Sequence, residues 1–449
     1  MSAQTIADSA GGRLSGEGDT SVTGVAIDTR RLAPGDLFVA LVGERSDGHA
    51  FLNDAAGRGA VAVMVREGAQ VPQGIAAVVV DDPLAALGRL ATAARQRLSA
   101  RVLAITGSSG KTITKDLTAA VARGRYRTTA SEASFNNEIG VPLTILAAGS
   151  DTEVIVVEVG SRGVGHIAAL MPMLRPDVSI ILNVGVAHIG MFGSVETIAA
   201  AKGELVEGLD ESRFAVLNAD DPAVNAMATR TQAQILRFGT SASADVRADG
   251  VALDDDACAT FTLIAPDGKT DVRLAIPGEH IVSDALAAAA AGVALGTDVA
   301  TIGEGLSVVV APAWRMQIAD APGGWRVVND AYNANPNSVT AALKTLVAMG
   351  RGRRTWAVLG PMAELGAHAA TEHDRIGRLV AVGEETRPLY EAARLEGMTP
   401  EELTLVGDVD EAIRVVRAGV DRGDVVLVKA SRAAGLERVA LALSGEGDA

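Results

Sequence analysis

The segment from residue 101 to 123 places an apolar strand, a glycine-rich turn and a helix directly one after another. "RVLAIT" is apolar, "GSSG" forms the turn, and a helical pattern runs from about residue 111 to 123. Further strand-like runs follow at "EVIVVEVG", "DVSIILNVG" and "RFAVLNADD", with helical segments between them. Because parallel strands need crossover connections, this alternation predicts an α/β fold with a mainly parallel sheet and helices on both faces.

The length of 449 residues corresponds to about three domains at roughly 150 residues each. We predict a small α/β domain at 1–100, a central domain at 101–311 and a third, Rossmann-like α/β domain at 312–449. The second boundary follows from the proline and glycine residues of "PAWRMQIADAPGG". Within the central domain, two alternating strands around Pro-Asp-Gly in "CATFTLIAPDGKTDVRLAIPG" predict a β-hairpin.

Composition excludes several classes of protein. The net charge of −15 argues against a broad nucleic-acid surface, which needs clustered Lys and Arg. The longest apolar stretch, 285–295, is too short to span a bilayer, and the N-terminus lacks the basic start and apolar core of an export signal. The single cysteine, Cys258, excludes an internal disulfide. We therefore expect a cytoplasmic monomer with no membrane span and no nucleic-acid partner.

The turn at 107–110 has the composition of a phosphate-binding loop. Small residues let successive backbone N–H groups converge on an anion, and the following helix N-terminus adds positive potential. Lys111 would neutralise the β and γ phosphates of a nucleotide, and the Thr112 hydroxyl would hold magnesium. Ile105 departs from the pattern G-x-x-x-x-G-K-[ST], which has its first glycine there. The alternative is an ordinary strand-to-helix turn with an exposed lysine, but the flanking strand and helix favour phosphate binding.

Two candidate metal ligands stand at the ends of the strands that follow this loop. Glu158 lies in "VVEVGSRG" and His188 in "NVGVAHIGMFGS". Because the carboxyl ends of parallel strands meet at one edge, both side chains are predicted to lie beside the loop, where magnesium favours the carboxylate. Taken alone, each would be a polar strand-end residue satisfied by its neighbours. Lys202 in "AKGEL" would by default be a solvated lysine paired with a nearby glutamate.

The segment 327–338, "VVNDAYNANPNS", ends a strand in a polar cluster around Tyr332 and starts a helix after Asn-Pro. Its side chains would serve as helix caps in an ordinary loop. The same donors and acceptors around one aromatic ring would suit a nucleotide base and sugar. Composition alone leaves both interpretations open.

In this order, these motifs resemble those of the Mur ligases, the ATP-dependent enzymes that add amino acids to the peptidoglycan precursor. The resemblance spans nearly the whole chain, and within the family it is strongest to the type that adds a dipeptide. The loop of that family also lacks the early glycine, which accounts for Ile105. The segments that carry the resemblance are "DTRRLAPGDLFVALVGERSDGHAF", "TGSSGKT", "SFNNEIGVPLT", "NVGVAHIGMFGS", "AKGEL", "LNADD", "NDAYNANPNS", "VLGPMAELG" and "LVKASRAAGLERV".

The resemblance implies an ATP- and Mg²⁺-dependent ligation. The γ-phosphate of ATP would pass to the free carboxylate of UDP-N-acetylmuramoyl-tripeptide, giving an acyl phosphate. The amine of D-alanyl-D-alanine would then attack the acyl phosphate and release phosphate. Because two anions must be brought together, Lys111 and magnesium would supply the opposing charge.

The resemblance also assigns roles residue by residue. The catalytic set is Lys111, Glu158, His188 and Lys202. The metal set is Thr112, Glu158, His188 and Lys202, the last after carbamylation has made it an anion. The nucleotide set is Gly107, Ser108, Ser109, Gly110, Lys111, Thr112, Ile113, Asn137, His280, Asp284, Arg315, Asp330, Tyr332, Asn333 and Asn335. The substrate set is Thr29, Arg30, Asp47, Gly48 and His49 toward the UDP-sugar, with Asn136, Lys429, Ser431 and Arg432.

Four positions depart from the family pattern. Asp284 stands where the adenine-contacting segment usually has an asparagine, and loss of the amide donor would cost about 1 to 3 kcal/mol of ATP binding. We therefore expect Asp284→Asn to lower the apparent KM for ATP. Ile113 replaces a small hydroxyl residue, Val159 a methionine and Ala133 a glycine, and none of these removes a catalytic group.

Two other functions remain open at this point. One is a sister ligase of the same fold that adds a single amino acid to a shorter precursor or to a folate. The other is an ATP-binding protein impaired in turnover, which the aspartate at 284 would permit. "NDAYNANPNS" together with "VKASRAAGLERV" favours the dipeptide-adding type.

Overall fold

The computed structural model describes residues 1–44, 46–185, 192–362 and 376–445. Across these residues the chain forms three sheets, of five, nine and six strands, with helices packed on them. The predicted α/β fold class is confirmed, as is the mainly parallel sheet that contains the glycine loop. Within the same ranges, no helix has the length and apolar character needed to cross a membrane.

The first sheet belongs to the N-terminal part of the chain. Its elements are α1 (Ala3–Ala10), β1 (Arg13–Ser15), β2 (Gly24–Ala26), β3 (Asp36–Val39), α2 (Leu52–Gly57), β4 (Ala62–Arg66), β5 (Ala76–Val80) and α3 (Pro83–Arg97). The strand order is β1-β5-β4-β3-β2, with β1 antiparallel to β5 and the other neighbours parallel. Leu37, Met64 and Val78 pack in one core with Ile6 of α1 and Leu87 of α3.

The central sheet is the largest of the three. Its elements are β6 (Arg101–Thr106), α4 (Lys111–Arg123), β7 (Thr128–Ala130), α5 (Gly140–Leu146), β8 (Val154–Glu158), α6 (His166–Leu174), β9 (Val178–Ile181), α7 (Val195–Glu207), β10 (Phe214–Asn218), α8 (Pro222–Asn225), β11 (Gln234–Gly239), β12 (Val246–Leu253), β13 (Cys258–Ala265), β14 (Gly268–Pro277), α9 (Ile281–Ala294) and α10 (Val299–Ser307). The strand order is β14-β13-β12-β11-β10-β9-β6-β8-β7. Neighbours from β7 to β12 are parallel, and β12, β13 and β14 are antiparallel.

This strand order decides where the candidate site forms. Strand β6 lies between β8 and β9, so the glycine loop after β6 meets the ends of both neighbours at one edge of the sheet. Helix α9 packs against α4, the helix that follows the loop. The alanine-rich stretch of α9 is fully buried, because the small side chains allow close packing in the core.

The third sheet follows a linker around residues 308–316. Its elements are β15 (Gln317–Asp320), β16 (Arg326–Asn329), α11 (Pro336–Met349), β17 (Thr355–Leu359), β18 (Arg378–Val382), α12 (Arg387–Leu395), β19 (Leu403–Val406), α13 (Val409–Gly419), β20 (Val425–Lys429) and α14 (Glu437–Ser444). The order is β15-β16-β20-β17-β18-β19, with β15 antiparallel to β16 and the other neighbours parallel. The parallel pair β16 and β20 ends beside Asp330 and Lys429.

The elements read from the sequence are largely present. Helix α4 covers the helix predicted at 111–123, and β13 and β14 form the predicted hairpin. The helix predicted after residue 370 begins outside the described residues, and the chain from 378 onward forms strand β18.

Candidate active site

The loop at 107–110 turns the chain from β6 into α4 and holds its backbone N–H groups in a cluster. Gly110 has φ +81°, and a Cβ added there would lie 2.2 Å from Oδ1 of Asp284, so glycine is required twice over. The N–H groups of Ser108 and Ser109 both donate to Oδ1 of Asn183, at 3.0 Å each. The loop therefore has the N–H cluster of a phosphate cradle, with two of its donors held by an amide oxygen.

The donors next to these two are open. Within the described part of the chain, no hydrogen bond uses the N–H groups of Gly110, Lys111 or Thr112. These groups form the start of α4, where the helix dipole favours an anion. The Lys111 Nζ folds back and donates to the Gly107 carbonyl at 2.9 Å. Burial lowers the pKa of Lys111, the Glu158 carboxylate opposes that shift, and Arg315 adds to it.

A chain of hydrogen bonds joins the loop to the end of β8. The Thr112 hydroxyl donates to Oε2 of Glu158 at 2.8 Å, and the side-chain amide of Asn136 donates to Oε1 at 2.8 Å. Ser134 Oγ lies 3.3 Å from the Thr112 hydroxyl and accepts a 2.9 Å bond from Nη2 of Arg315. Glu158 is 1% exposed. A hydroxyl and a carboxylate in direct contact beside the loop are the oxygen ligands that Mg²⁺ prefers.

Lys202 of α7 is buried and lies near the loop. Its pKa is lowered to about 7, chiefly by burial and then by the charge of Lys111. Among the described residues, no ion pair or hydrogen bond of its Nζ is found. The predicted pairing with a nearby glutamate is thus not seen, since Glu204 instead accepts from the N–H groups that begin α6. His188, the other predicted metal ligand, lies outside the described residues.

A cavity of about 1030 Å³ opens between the end of β12 and helix α11. His280 lines it and is exposed to it. The other residues along its walls include Leu253, Glu279, Asn337, Thr340 and Lys344. Its size and mixed lining suit a nucleoside.

Asp284, four residues after His280, lies deeper than this cavity. Its carboxyl is buried against the back of the glycine loop and accepts a 3.1 Å bond from the Thr114 hydroxyl of α4. Burial raises its pKa to about 7, which the Thr114 bond only partly offsets. The expectation that this side chain cannot donate a hydrogen bond is therefore revised, because below about pH 7 the carboxyl carries a proton.

The segment after β16 brings the third sheet to the loop. The Arg315 guanidinium lies 3.8 Å from the centre of the Tyr332 ring, and the Arg432 guanidinium lies 5.4 Å from it. The Lys429 ammonium donates to Oδ2 of Asp330 at 2.6 Å. Because Arg315 also reaches Ser134, the third part of the chain contacts the residues around Thr112 directly. These predicted residues are thus brought together on one side of the cleft.

Several predicted site residues serve local structure in this state. Asn335 forms a capping box at the start of α11, and Asn137 accepts from the N–H groups at the start of α5. Asn333 accepts from the next backbone N–H, and the Ser431 N–H donates to a carbonyl two residues after β17. Ile113 is buried in the core, so its side chain does not face the cleft. The contacts of Asn335 and Asn137 are those of helix-capping side chains.

The predicted UDP-sugar residues lie on two short 3-10 helices of the first part, Thr29–Arg31 and Gly48–Phe51. Arg30 pairs with Asp28, and that hydrogen bond lowers the pKa of Asp28 to about 2. Asp47 accepts from the backbone N–H of His49 and contacts its Nδ1 at 2.7 Å. A Cβ at Gly48 would lie 2.8 Å from the backbone of residue 41, so only glycine fits. These residues form a set of their own, apart from the loop.

Two residues of the site were not predicted from the sequence. Asn183 follows β9 in "LNVG", and its side chain occupies the loop; a polar residue just after a strand adjacent to β6 was the available signal. Ser134 precedes "FNN" and joins Thr112 to Arg315. Its neighbour Ala133 has φ +43°, a left-handed conformation that favours glycine.

Comparisons with known proteins show which family the chain resembles over its length. Profiles described as the Mur ligase middle domain, the Mur ligase glutamate ligase domain and the Mur ligase family catalytic domain match residues 105–292, 314–432 and 21–95. The chain is 41% identical to the UDP-N-acetylmuramoyl-tripeptide–D-alanyl-D-alanine ligase of Mycobacterium tuberculosis, over 94% of this chain and 92% of the relative.

Solved structures give the same result. MurF from Acinetobacter baumannii superposes with a TM-score of 0.85 at 30% identity, covering 99% of this chain and 98% of that one. The MurF ligase from Thermotoga maritima in complex with ADP superposes with a TM-score of 0.79 at 26% identity, covering 96% and 98%. Since sequence identity, three profile matches and the full-length fold all coincide with a glycine loop joined to Glu158, the chain belongs to the Mur ligase family.

Proposed function

We propose that the chain is an ATP-dependent ligase that joins D-alanyl-D-alanine to UDP-N-acetylmuramoyl-tripeptide through an acyl phosphate. The observation that carries the proposal is the contact of three elements at one point. Thr112 at the start of α4 bonds directly to Glu158 of β8, and Ser134 links Thr112 to Arg315 of the third part. The relatives of matching length that bear this ligase name support the choice of substrates.

ATP would bind with its phosphates on the open N–H groups at the start of α4 and its nucleoside toward the cavity lined by His280. The Thr112 hydroxyl and the Glu158 carboxylate fit Mg²⁺ by ligand type, and His188 is proposed as a further ligand. The metal would supply positive charge to the phosphates. Lys111 would leave the Gly107 carbonyl and neutralise the β and γ phosphates.

In the first step, a carboxylate oxygen of the tripeptide attacks the γ phosphorus, and the bond to the β,γ-bridging oxygen breaks, releasing ADP. Lys111 and Arg315 hold positive charge where both anions meet. In the second step, the amine of D-alanyl-D-alanine attacks the acyl carbon. The bond between that carbon and the phosphate oxygen breaks, and inorganic phosphate leaves. The amine loses a proton, and a peptide bond remains.

Lys202 is proposed to be carbamylated. Its ammonium would be buried without a counter-charge among the described residues, and burial lowers its pKa to about 7. A neutral amine is the form that reacts with carbon dioxide. The resulting carbamate would be an anion placed to assist a metal ion, which would also offset the charge of Lys111.

The substrate assignments follow the position of each set. Thr29, Arg30, Asp47, Gly48 and His49 are proposed to face the UDP-sugar, and Asn136 the acceptor carboxylate beside Glu158. Lys429, Ser431 and Arg432, at the end of β20, are proposed to face the dipeptide. We propose that the protein acts in the cytoplasm and as a monomer.

Phosphate release tests the proposal. With UDP-N-acetylmuramoyl-tripeptide, D-alanyl-D-alanine and Mg-ATP present, we expect steady release that stops when any one of them is withheld. Single amino acids should not replace the dipeptide. Release with a single amino acid and a shorter precursor would identify a sister ligase, and ATP binding without release would identify a protein impaired in turnover.

A further inference from the structure

The Asn183 side chain enters the glycine loop from the segment that follows strand β9. Its Oδ1 accepts the N–H groups of Ser108 and Ser109, at 3.0 Å each, and the Ser109 hydroxyl at 3.3 Å. Its Nδ2 donates to the Ser109 carbonyl at 3.3 Å. The Asn183 carbonyl also accepts from the Ser108 N–H, at 3.1 Å.

The following residues strengthen this connection. The N–H group of Gly185 donates to Ser108 Oγ at 2.9 Å. Two successive N–H groups of the loop are thus fixed in direction by one side chain, and the Ser108 hydroxyl is held by the backbone of Gly185. A glycine-rich loop lacks the side chains that would hold it in one conformation, so outside contacts must do so.

We infer that Asn183 is a positioning residue that fixes the phosphate loop so that the N–H groups of Gly110, Lys111 and Thr112 stay aimed at the nucleotide phosphates. The proposal rests on ATP binding at this loop, as proposed above. It divides the loop donors into two sets. The N–H groups of Ser108 and Ser109 bond to Asn183, and the N–H groups at the start of α4 bind the nucleotide phosphates.

The division follows from where the donors lie. A phosphate needs several N–H groups converging from a rigid backbone, since each donor left to fluctuate costs ordering entropy on binding. Because Asn183 orders the loop in the free protein, this entropy is not lost when the nucleotide binds. Its role would also explain how the loop keeps its shape with Ile105 in place of the first glycine of the usual pattern.

A different role for the same contacts predicts the opposite effect on nucleotide affinity. If the amide oxygen merely filled the place of a phosphate oxygen, the nucleotide would have to displace it, and its removal would tighten binding. The variant Asn183→Ala therefore separates the two. We expect it to weaken Mg-ADP binding by roughly 10- to 100-fold, since the side-chain oxygen that accepts from two N–H groups is lost, and to raise the KM for ATP in parallel.

Asn218→Ala is the matched control. Asn218 ends the next strand, β10, is buried, donates to the Leu182 carbonyl at 2.8 Å and accepts a backbone N–H, yet makes no hydrogen bond to the loop in the described structure. Calorimetry with Mg-ADP on the full chain should give wild-type affinity for this variant. UDP-N-acetylmuramoyl-tripeptide binding should stay within about twofold of wild type in both variants, because the first part of the chain is untouched.

Asn183→Asp keeps an oxygen beside both N–H groups, so it should melt near the wild-type temperature even where Asn183→Ala does not fold. Its added negative charge should weaken Mg-ADP binding, and the gap to wild type should narrow as salt rises. Unchanged or tighter Mg-ADP binding by Asn183→Ala would overturn the inference. Where the alanine variant does not fold, an Asn183→Asp protein whose gap to wild type does not narrow at high salt would overturn it, because the retained oxygen should hold the loop once the charge is screened. Failure of the wild-type protein to bind Mg-ADP would instead reject ATP binding at the loop.

Discussion

The two sides of the glycine loop solve opposite electrostatic problems. On the front, Lys111 donates to the Gly107 carbonyl at 2.9 Å and Thr112 donates to Glu158 at 2.8 Å, and open N–H groups add positive potential. On the back, the buried carboxyl of Asp284 lies against Gly110 with a single hydroxyl donor, Thr114. The front attracts an anion at any pH near neutrality. The back repels the same anion once the Asp284 carboxyl ionises.

Burial has opposite effects on the pKa of a buried lysine and of a buried aspartate beside this loop. Lys202 and Asp284 are both buried, and both have a pKa near 7, one lowered and the other raised by burial. Burial favours the neutral amine of Lys202, the form that is available for modification. A back-side acid becomes neutral and harmless to phosphate binding.

The largest effect should come from the front. Lys111→Ala removes the cation that faces the β and γ phosphates, and we expect phosphate release to fall by roughly 10²- to 10³-fold. Arg123→Ala at the exposed other end of α4 is the control and should keep wild-type turnover. A Lys111→Ala protein with turnover within a few-fold of wild type would show that the front is not where the phosphoryl group is transferred.

Lys202→Ala is expected to have the second largest effect. It removes the buried group proposed to become an anion, and activity should fall by roughly 10- to 100-fold, with a higher Mg²⁺ requirement. Labelled bicarbonate should give a carbamate carbon signal in the wild-type protein and none in the variant. Lys269→Ala, at an exposed position of β14, should change neither.

Full activity of Lys202→Ala, together with no effect of bicarbonate on the wild type, would remove the carbamate from the mechanism. The front of the loop would then act through Lys111, Thr112 and Glu158, and Lys202 would be a buried neutral lysine.

The sequence predicted the front better than the back because the front is built from consecutive residues. Residues 107–112 form a contiguous motif, and Glu158 was placed beside it by the rule that parallel strands end at one edge. Asn183 needed the strand order β9-β6-β8, which no local pattern contains. Ser134 needed a contact with Arg315, 181 residues away.

The back of the loop depends on burial, which residue type does not reveal. Asp284 was compared with an asparagine as a donor to adenine, but the structure places its carboxyl behind the loop with a raised pKa. Asn137 and Asn335 show the same limit in reverse, because both amides cap helices in the structure. Strand and helix positions were accessible from periodicity, whereas the partner of each polar side chain was not.

Asp284→Asn tests the back of the loop directly. Because its pKa is raised from 3.8 to about 7, the folded protein holds this proton more tightly than the unfolded chain, and stability is lost as pH rises through about 7. The asparagine variant carries no such charge. We expect it to melt about 2 °C or more above wild type at pH 8.5, with a smaller difference at pH 5, because the loss builds up between about pH 4 and about pH 7.

The same variant should lower the KM for ATP by about tenfold at pH 8.5, where the wild-type carboxylate faces the phosphates through Gly110, and by less at pH 6. Asp298→Asn, at the exposed cap of α10, is the control for a lost carboxylate and should leave the KM unchanged. Equal KM values for Asp284→Asn and wild type at both pH values would mean that the back of the loop is electrostatically silent.

The smallest effect should come from Ala133, which leads into the front through Ser134. Its φ of +43° is costly for alanine and free for glycine, and the buried Lys115 ammonium holds its carbonyl at 3.3 Å. Ala133→Gly should therefore stabilise the protein by up to about 1 kcal/mol, measured by urea unfolding. Ala147→Gly, at φ −74°, should destabilise it by roughly 0.5 to 1 kcal/mol. Destabilisation by both would mean that the loop carries no strain, and the front would then be held by hydrogen bonds alone.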